Sequence, residues 1–255
     1  MRTPCARLAH ASTAAIASLL PSYGGQQLVA EVAALERVLE RPGRPVAALV
    51  GGAKVSTKLA VLEHLIGCVD ILIIGGGMAN TFLHALGNEI GHSLCEPDLA
   101  KTAQRVLERA AERGCHVVLP TDVVIAPKLR RGVRYEFADA HAMPSDQMIL
   151  DIGPRSVSAL KHLLETCRTL LWNGPLGAFE IEPFDRGTQE VVRKAAELTE
   201  AGNLVTVAGG GDTVAALAQA GVADKFTYVS MAGGAFLEWL EGKELPGIVA
   251  LKRAA

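Results

Sequence analysis

Apolar residues along the chain follow two spacings. Leu28, Val32, Leu35 and Leu39 recur three or four positions apart, which predicts an amphipathic helix over 26–40, ended by the breaker run RPGRP. VAALVGG (46–52) is then a short, uninterrupted apolar run closing on glycines. The same form returns as ILIIGGG (71–77), HVVLP (116–120), TLLWNG (169–174), LVTVAGGG (204–211) and TYVS (227–230). Helical spacing fills the intervals near 56–66, 78–86, 98–113, 156–166, 185–201 and 212–220, and 234–241 follows the last run. Strands that are apolar on both faces and separated by helices belong to a parallel sheet covered on both sides. The pattern therefore predicts an α/β fold, doubly wound and Rossmann-like, with three layers and about six strands. Residues 121–150 are less regular and fit a small β excursion.

Composition narrows the picture. A chain of 255 residues has room for one large domain or two small ones. Hydrophobic residues make up 49% but aromatics only 4%, so the core material is Ala, Val, Leu and Ile, suited to helices packed on a sheet rather than to an aromatic-rich sandwich. The net charge is −2 with no basic block, so nucleic acid is not an expected partner. No run of about 18 uncharged apolar residues predicts a membrane span. Cys5, Cys68, Cys95, Cys115 and Cys167 are odd in number and form no CxxC pair, which suits reduced thiols in a cytoplasmic protein, each a small buried or half-buried residue. The opening MRTPCARLAHASTAAIASLL carries Arg and no acid, like a targeting peptide, but His10, Ser12 and Thr13 break its apolar part, so a secretory signal is not expected.

The strand ends carry the chemistry. In a doubly wound sheet, ligands sit at the carboxyl edge, where strands hand over to helices. GGAK, GGGM, NGPLG and GGGDT all fall there. Each glycine can serve a tight turn alone. Four such ends on one edge also offer bare N–H groups at helix starts, which bind anions. One charge–dipole contact contributes only about 0.3–1 kcal/mol, so several must converge on a phosphate chain. Gly209, Gly210 and Gly211 would let phosphate oxygens approach the backbone, and Thr213 would add a hydroxyl. Asp212 has two readings. It caps its helix, or it faces a divalent cation lying between it and the phosphates, for which a hard oxygen ligand suits Mg²⁺.

Lys54 and Lys58 in GGAKVSTKL lie four apart, on one helical face if the helix begins near Lys54. They are a solvated surface pair or a cationic site for an anion. The segment is not a Walker A loop, and GGGMAN lacks the third glycine of the dinucleotide fingerprint, which disfavours a P-loop NTPase and a nicotinamide-dependent oxidoreductase.

VGGAKVSTKL, LIIGGGMANTFL, LPTDVV, LWNGPLGAFE, AGGGDTVAAL and AGGAFLEWLEGKELPGIVAL occur in the order found in phosphoglycerate kinase, and the resemblance runs from about Ala9 to Leu251. It implies two α/β domains facing a cleft, one for Mg-nucleotide and one for 3-phosphoglycerate. This chain resembles the C-terminal, nucleotide-binding half (23–255), with 1–22 a remnant of the substrate domain and interdomain segment. Its implied activity is reversible phosphoryl transfer between 1,3-bisphosphoglycerate and ADP in glycolysis, giving 3-phosphoglycerate and ATP, with Mg²⁺ as cofactor. The resemblance implies that Lys54 contacts the phosphoryl group in flight and that Lys58 holds the nucleotide phosphates. Gly75, Gly76 and Gly77 would border the adenine pocket. Asn173 and Pro175 would lie along the nucleotide, and Glu180 would take the ribose hydroxyls. Gly210, Gly211, Asp212 and Thr213 would meet the phosphates, with Asp212 toward Mg²⁺. Gly233 and Gly234 would form a second helix start aimed at the transferred group. Such a transfer asks for placement and neutralisation of oxygens rather than a general base, because the acceptor carboxylate is already ionised.

Two departures stand out. The family usually reads AHRAHAS where this chain has ARLAHAS (6–12), so Leu8 replaces an arginine that grips the substrate phosphate, and Arg7 replaces a histidine. Met231 stands where the family usually has threonine. With most of the substrate domain absent from these residues, the isolated chain is expected to bind nucleotide and turn over poorly. The alternative is a non-catalytic nucleotide-binding or interaction fragment that docks on a separate N-terminal domain.

Overall fold

The computed structural model describes residues 42–230 and 232–245, together with Tyr23, Gly25, Gln26, Val29, Ile248 and Val249. Most of the helix expected over 26–40, and the departures at Arg7, Leu8 and Met231, lie outside the described residues. Six apolar runs form one parallel sheet: β1 (Val46–Val50), β2 (Ile71–Ile74), β3 (His116–Val118), β7 (Thr169–Asn173), β8 (Val205–Gly209) and β9 (Tyr228–Ser230), in the order β3-β2-β1-β7-β8-β9. β1 pairs with β2 on one side and β7 on the other, both parallel, with Val50 opposite Ile74 and Asn173. Because β1 and β7 are built outward in opposite directions, the gap beyond their carboxyl ends is the topological switch point, the place where such sheets hold ligands.

The period-2 alternation of the strands explains the three layers. Val46, Ala48 and Val50 of β1 point into one core and Ala47 and Leu49 into the other, all at most 1% exposed. The first core is covered by α1 (Leu59–Leu65), α2 (Gly76–Ala85), α3 (Ala100–Glu112) and α7 (Gly233–Leu240) through Leu62, Phe82, Val106 and Phe236. The second is covered by α4 (Pro154–Thr166), α5 (Arg186–Glu200) and α6 (Gly211–Ala220) through Leu160, Val191 and Leu217, around Trp172 of β7.

The irregular stretch does form a β excursion. β4 (Asp122–Ala126), β5 (Glu136–Asp139) and β6 (Met148–Ile152) make a separate antiparallel sheet of order β5-β4-β6. Asp122 ties it to the main domain. Its carboxylate accepts the N–H groups of Arg155 at 2.9 Å and Ser156 at 2.7 Å, satisfying the open first turn of α4 from a neighbouring strand.

Candidate functional site

At the switch point two glycine-bearing strand ends cross in contact. The Gly51 N–H donates to the Asn173 carbonyl at 2.9 Å. A Cβ on Gly51 would overlap the Pro175 carbonyl group, and one on Gly174 (φ +104°) would overlap Gly51 and fall 2.9 Å from the Lys58 ammonium. These two glycines serve backbone-to-backbone approach.

Lys58 closes the crossing. Its Nζ donates to the carbonyls of Gly51 at 2.6 Å and Asn173 at 3.1 Å, so one ammonium ties the ends of β1 and β7. Burial holds its pKa down to about 8, and the carboxylate of Asp212 pulls it partly back up. The expected shared helical face with Lys54 does not occur. Val55, Ser56 and Thr57 form a turn, α1 begins only at Leu59, and Lys54 stands exposed on the preceding loop.

That loop is held by a residue outside the expected set. Glu96 accepts the Ser56 N–H at 3.0 Å and the Ser56 hydroxyl at 2.5 Å, while its own N–H donates to Thr81 Oγ1 at 3.1 Å. Burial works to raise the Glu96 pKa. The bonds from Ser56, the Val55 N–H and the nearby Lys54 charge outweigh it and leave the carboxylate below its ordinary range.

The glycine-rich starts of α2 and α6 differ. At α2, the Gly76 N–H donates to Leu176 O at 2.8 Å and the Met78 N–H to Gly52 O at 3.0 Å, so part of that opening is spent within the protein. Gly75 packs on Leu176 and Gly77 on Ala53 O, each 2.6 Å from where a Cβ would stand. At α6, Gly209 packs on the Phe236 ring and Gly210 (φ +99°) against the Asn173 amide, but a Cβ on Gly211 would meet nothing within 4 Å. Outside the helix, the Gly211, Asp212 and Thr213 N–H groups donate to no described residue. The start of α7 adjoins this opening: a Cβ on Gly233 would lie 3.4 Å from Gly210 Cα and 3.7 Å from Gly211 N. Gly234 is half-buried in the same first turn.

The N-cap of α6 is Gly210, so Asp212 lies inside the first turn and is not the capping residue. Asp212 is exposed and makes no hydrogen bond or ion pair among the described residues. Thr213, by contrast, is 1% exposed, and its hydroxyl accepts the Gly174 N–H at 2.7 Å. Asn173 is also buried. Its Nδ2 donates to Gly209 O at 2.7 Å, while Oδ1 meets no partner.

Beside these groups lies a cavity of about 240 Å³ that brings together Gly76, Gly77, Pro175, Glu180 and Asp212. Its apolar wall joins Leu176 and Phe179 of the NGPLGAF stretch to Leu94, Met148 and Leu150, which belong to no glycine-ended run. Asn80, 2% exposed, also lines it, with Nδ2 donating to Leu94 O at 3.1 Å and Oδ1 unpartnered. So does Asp151. Burial pushes its carboxyl up to about 8 against the N–H donors of Gly187 (2.7 Å) and Ile152 (2.8 Å), with Asp185 and Glu190 adding to the rise.

An apolar slot that leads to open helix starts, a half-buried ammonium and an unpaired carboxylate can take a flat ring with an anionic tail. The phosphoglycerate kinase family model matches residues 4–243 of the chain. The chain belongs to the phosphoglycerate kinase family. A phosphoglycerate kinase from Methylorubrum extorquens is 59% identical over 247 residues, covering 97% of this chain and 62% of the relative's length. One from Agrobacterium fabrum is 57% identical over 249 residues, again covering 62% of its length. Among solved structures, phosphoglycerate kinase from Coxiella burnetii superposes with a TM-score of 0.93 at 44% identity, over 98% of this chain and 64% of that one. The enzyme from Pyrococcus horikoshii gives 0.81 at 27% identity over 98% and 62%. The chain thus spans a little under two thirds of the phosphoglycerate kinases it matches.

Proposed function

We propose that this chain supplies the Mg-nucleotide side of phosphoglycerate kinase, catalysing reversible phosphoryl transfer between 1,3-bisphosphoglycerate and ADP to give 3-phosphoglycerate and ATP. The observation that carries the reading is the opening of α6. Gly211 faces unfilled space, its neighbouring N–H groups are unspent, and Lys58, Asp212 and the start of α7 converge on it. In this reading the base occupies the apolar cavity against Gly76, Gly77 and Pro175, Glu180 takes the ribose, and the phosphates run toward Gly211 and Lys58. Lys54, Gly210, Gly233 and Gly234 then surround the transferred group.

The donor set fits magnesium. Among the described residues no cluster of three or more His, Cys, Asp or Glu side chains could hold a metal alone. An unpaired carboxylate at the α6 opening, Asp212, matches an ion bound mainly by phosphate oxygens and water. When bound, Mg²⁺ would neutralise phosphate charge. Lys58 and the helix N–H groups orient the phosphates, and the apolar wall excludes water from the base.

We assign 23–255 to the nucleotide-binding α/β domain and 1–22 to the substrate-binding domain and interdomain segment. Among the described residues no helix is long and apolar enough to cross a membrane, and a cytoplasmic location goes with the glycolytic reading. Orientation of two reactants can contribute about 7–11 kcal/mol. The 255 residues assayed by themselves should therefore turn over orders of magnitude below the roughly 1–100 per second of typical kinases. A coupled ATP/3-phosphoglycerate assay on the chain alone, and after adding a relative's N-terminal domain, tests this. Activity that appears only on addition supports the reading. No ADP binding, or no activity in either arm, rejects it.

A further inference from the structure

The β4–β5 connection, residues 127–135, reads PKLRRGVRY: four cations and no acid, hidden within a net charge of −2. Lys128, Arg130 and Arg131 are exposed and form no ion pair among the described residues, whereas Arg134 pairs with Glu136 at 3.1 Å. The connection is fastened at both ends to the cavity wall. Leu129 lines the cavity itself. Val133 and Tyr135 pack into a small core with Leu150, Met148 and Ala178, three residues that also line the cavity. Tyr135 further meets Phe184 edge-on, with ring centroids 6.5 Å apart. Between the fastened ends, Gly132 (φ +72°) turns in open space.

We propose that this segment is a basic lip that draws polyanionic nucleotides into the cavity; the proposal rests on the nucleotide reading above. The two exposed charged side chains lining the cavity, Glu180 and Asp212, are acidic and repel an incoming polyphosphate. Three unpaired cations around Leu129 reverse that field at the mouth. Charges of this kind act on encounter over about 10 Å at 0.1 M salt. They raise the association rate without contacting the bound ligand.

The test is stopped-flow binding of a fluorescent methylanthraniloyl-ADP with Mg²⁺ to the full chain, across a salt series. In the Lys128→Gln/Arg130→Gln/Arg131→Gln variant, association at low salt should slow by about threefold to tenfold. Its salt dependence should flatten, with dissociation unchanged within about twofold. The single Arg131→Gln should show a smaller effect in the same direction, which keeps the test informative if the triple variant folds poorly. Equal association rates and salt slopes would overturn the lip while leaving nucleotide binding intact. A change confined to dissociation would also overturn it, by making these residues direct contacts. If calorimetry finds no ADP binding to the unaltered chain, the nucleotide reading falls and the lip with it.

Discussion

Lys58 and Asn173 stand 115 positions apart in the chain, yet the Lys58 ammonium donates to the Asn173 carbonyl at 3.1 Å while also holding Gly51 O at 2.6 Å. The cation at the switch point is thus engaged by backbone carbonyls, and burial lowers its pKa to about 8. An anion arriving at the α6 opening would favour its charged form.

Nucleotide binding should therefore take up protons near pH 8. With its pKa lowered to about 8, Lys58 is about half-protonated there in the free protein, and a bound polyphosphate would draw it to the charged form. Calorimetry at pH 8 in buffers of different ionisation enthalpy should show uptake of roughly half a proton. The uptake should vanish at pH 6 and in Lys58→Met. Without ligand, a lysine depressed from 10.5 makes the unfolded chain the stronger proton binder between about pH 8 and 10.5, so this group adds stability as pH rises through that window.

Asp151 has the opposite slope. Its folded pKa is raised from 3.8 to about 8, so between those values the folded protein keeps a proton that the unfolded chain has released. Stability from this group falls as pH rises from about 4 to about 8. Urea melts at pH 5 and pH 8 should show the loss in the unaltered chain and a flatter response in Asp151→Asn. The variant should also be less stable at both pH values, because its amide offers one acceptor where Gly187 and Ile152 need two.

The glycines separate by role. Gly51→Ala drives a Cβ into the Pro175 carbonyl and should cost about 3 kcal/mol or abolish folding. Gly211→Ala meets no neighbour within 4 Å, and a helix accepts alanine, so its thermal midpoint should hold. Its ADP affinity should fall by about tenfold, roughly 1.4 kcal/mol, because the methyl occupies the space assigned to phosphate. Thermal melts with calorimetry on both variants check the contrast; a Gly211→Ala chain that binds ADP normally would count against phosphate at that position.

Glu96→Gln removes the charge that holds the Ser56 turn next to Lys54. Amide exchange at Ser56 should quicken by about tenfold, with the global melting point little changed. Unchanged exchange at Ser56 would mean that the turn holds itself.

The main sheet was legible because its strands are buried on both faces, so VAALV, ILII and the LLW of TLLWN are unbroken apolar runs. The antiparallel excursion was less so. β5 is mostly exposed, and EFAD mixes acids with an isolated Phe137. The glycine-ended strands marked the site's edge but not each glycine's task. Whether Gly51 meets a ligand or Pro175 is a long-range fact that local spacing does not carry. The same holds for Thr213, a hydroxyl beside an open helix start in the sequence but bound to Gly174 in the fold. The spacing of Lys54 and Lys58 misled because the turn at Val55–Thr57 delays the helix to Leu59. Glu96 and the cationic run 128–134 lie outside every glycine-ended run.

If Asp212 and the α6 opening hold a magnesium-borne polyphosphate, titration of ADP with and without Mg²⁺ into the unaltered chain and Asp212→Asn will separate the two proteins. Magnesium should tighten ADP binding about tenfold or more in the unaltered chain, and this gain should be lost in Asp212→Asn while metal-free ADP binding persists. An equal magnesium effect in both proteins, or none in either, would mean that Asp212 does not face the ion.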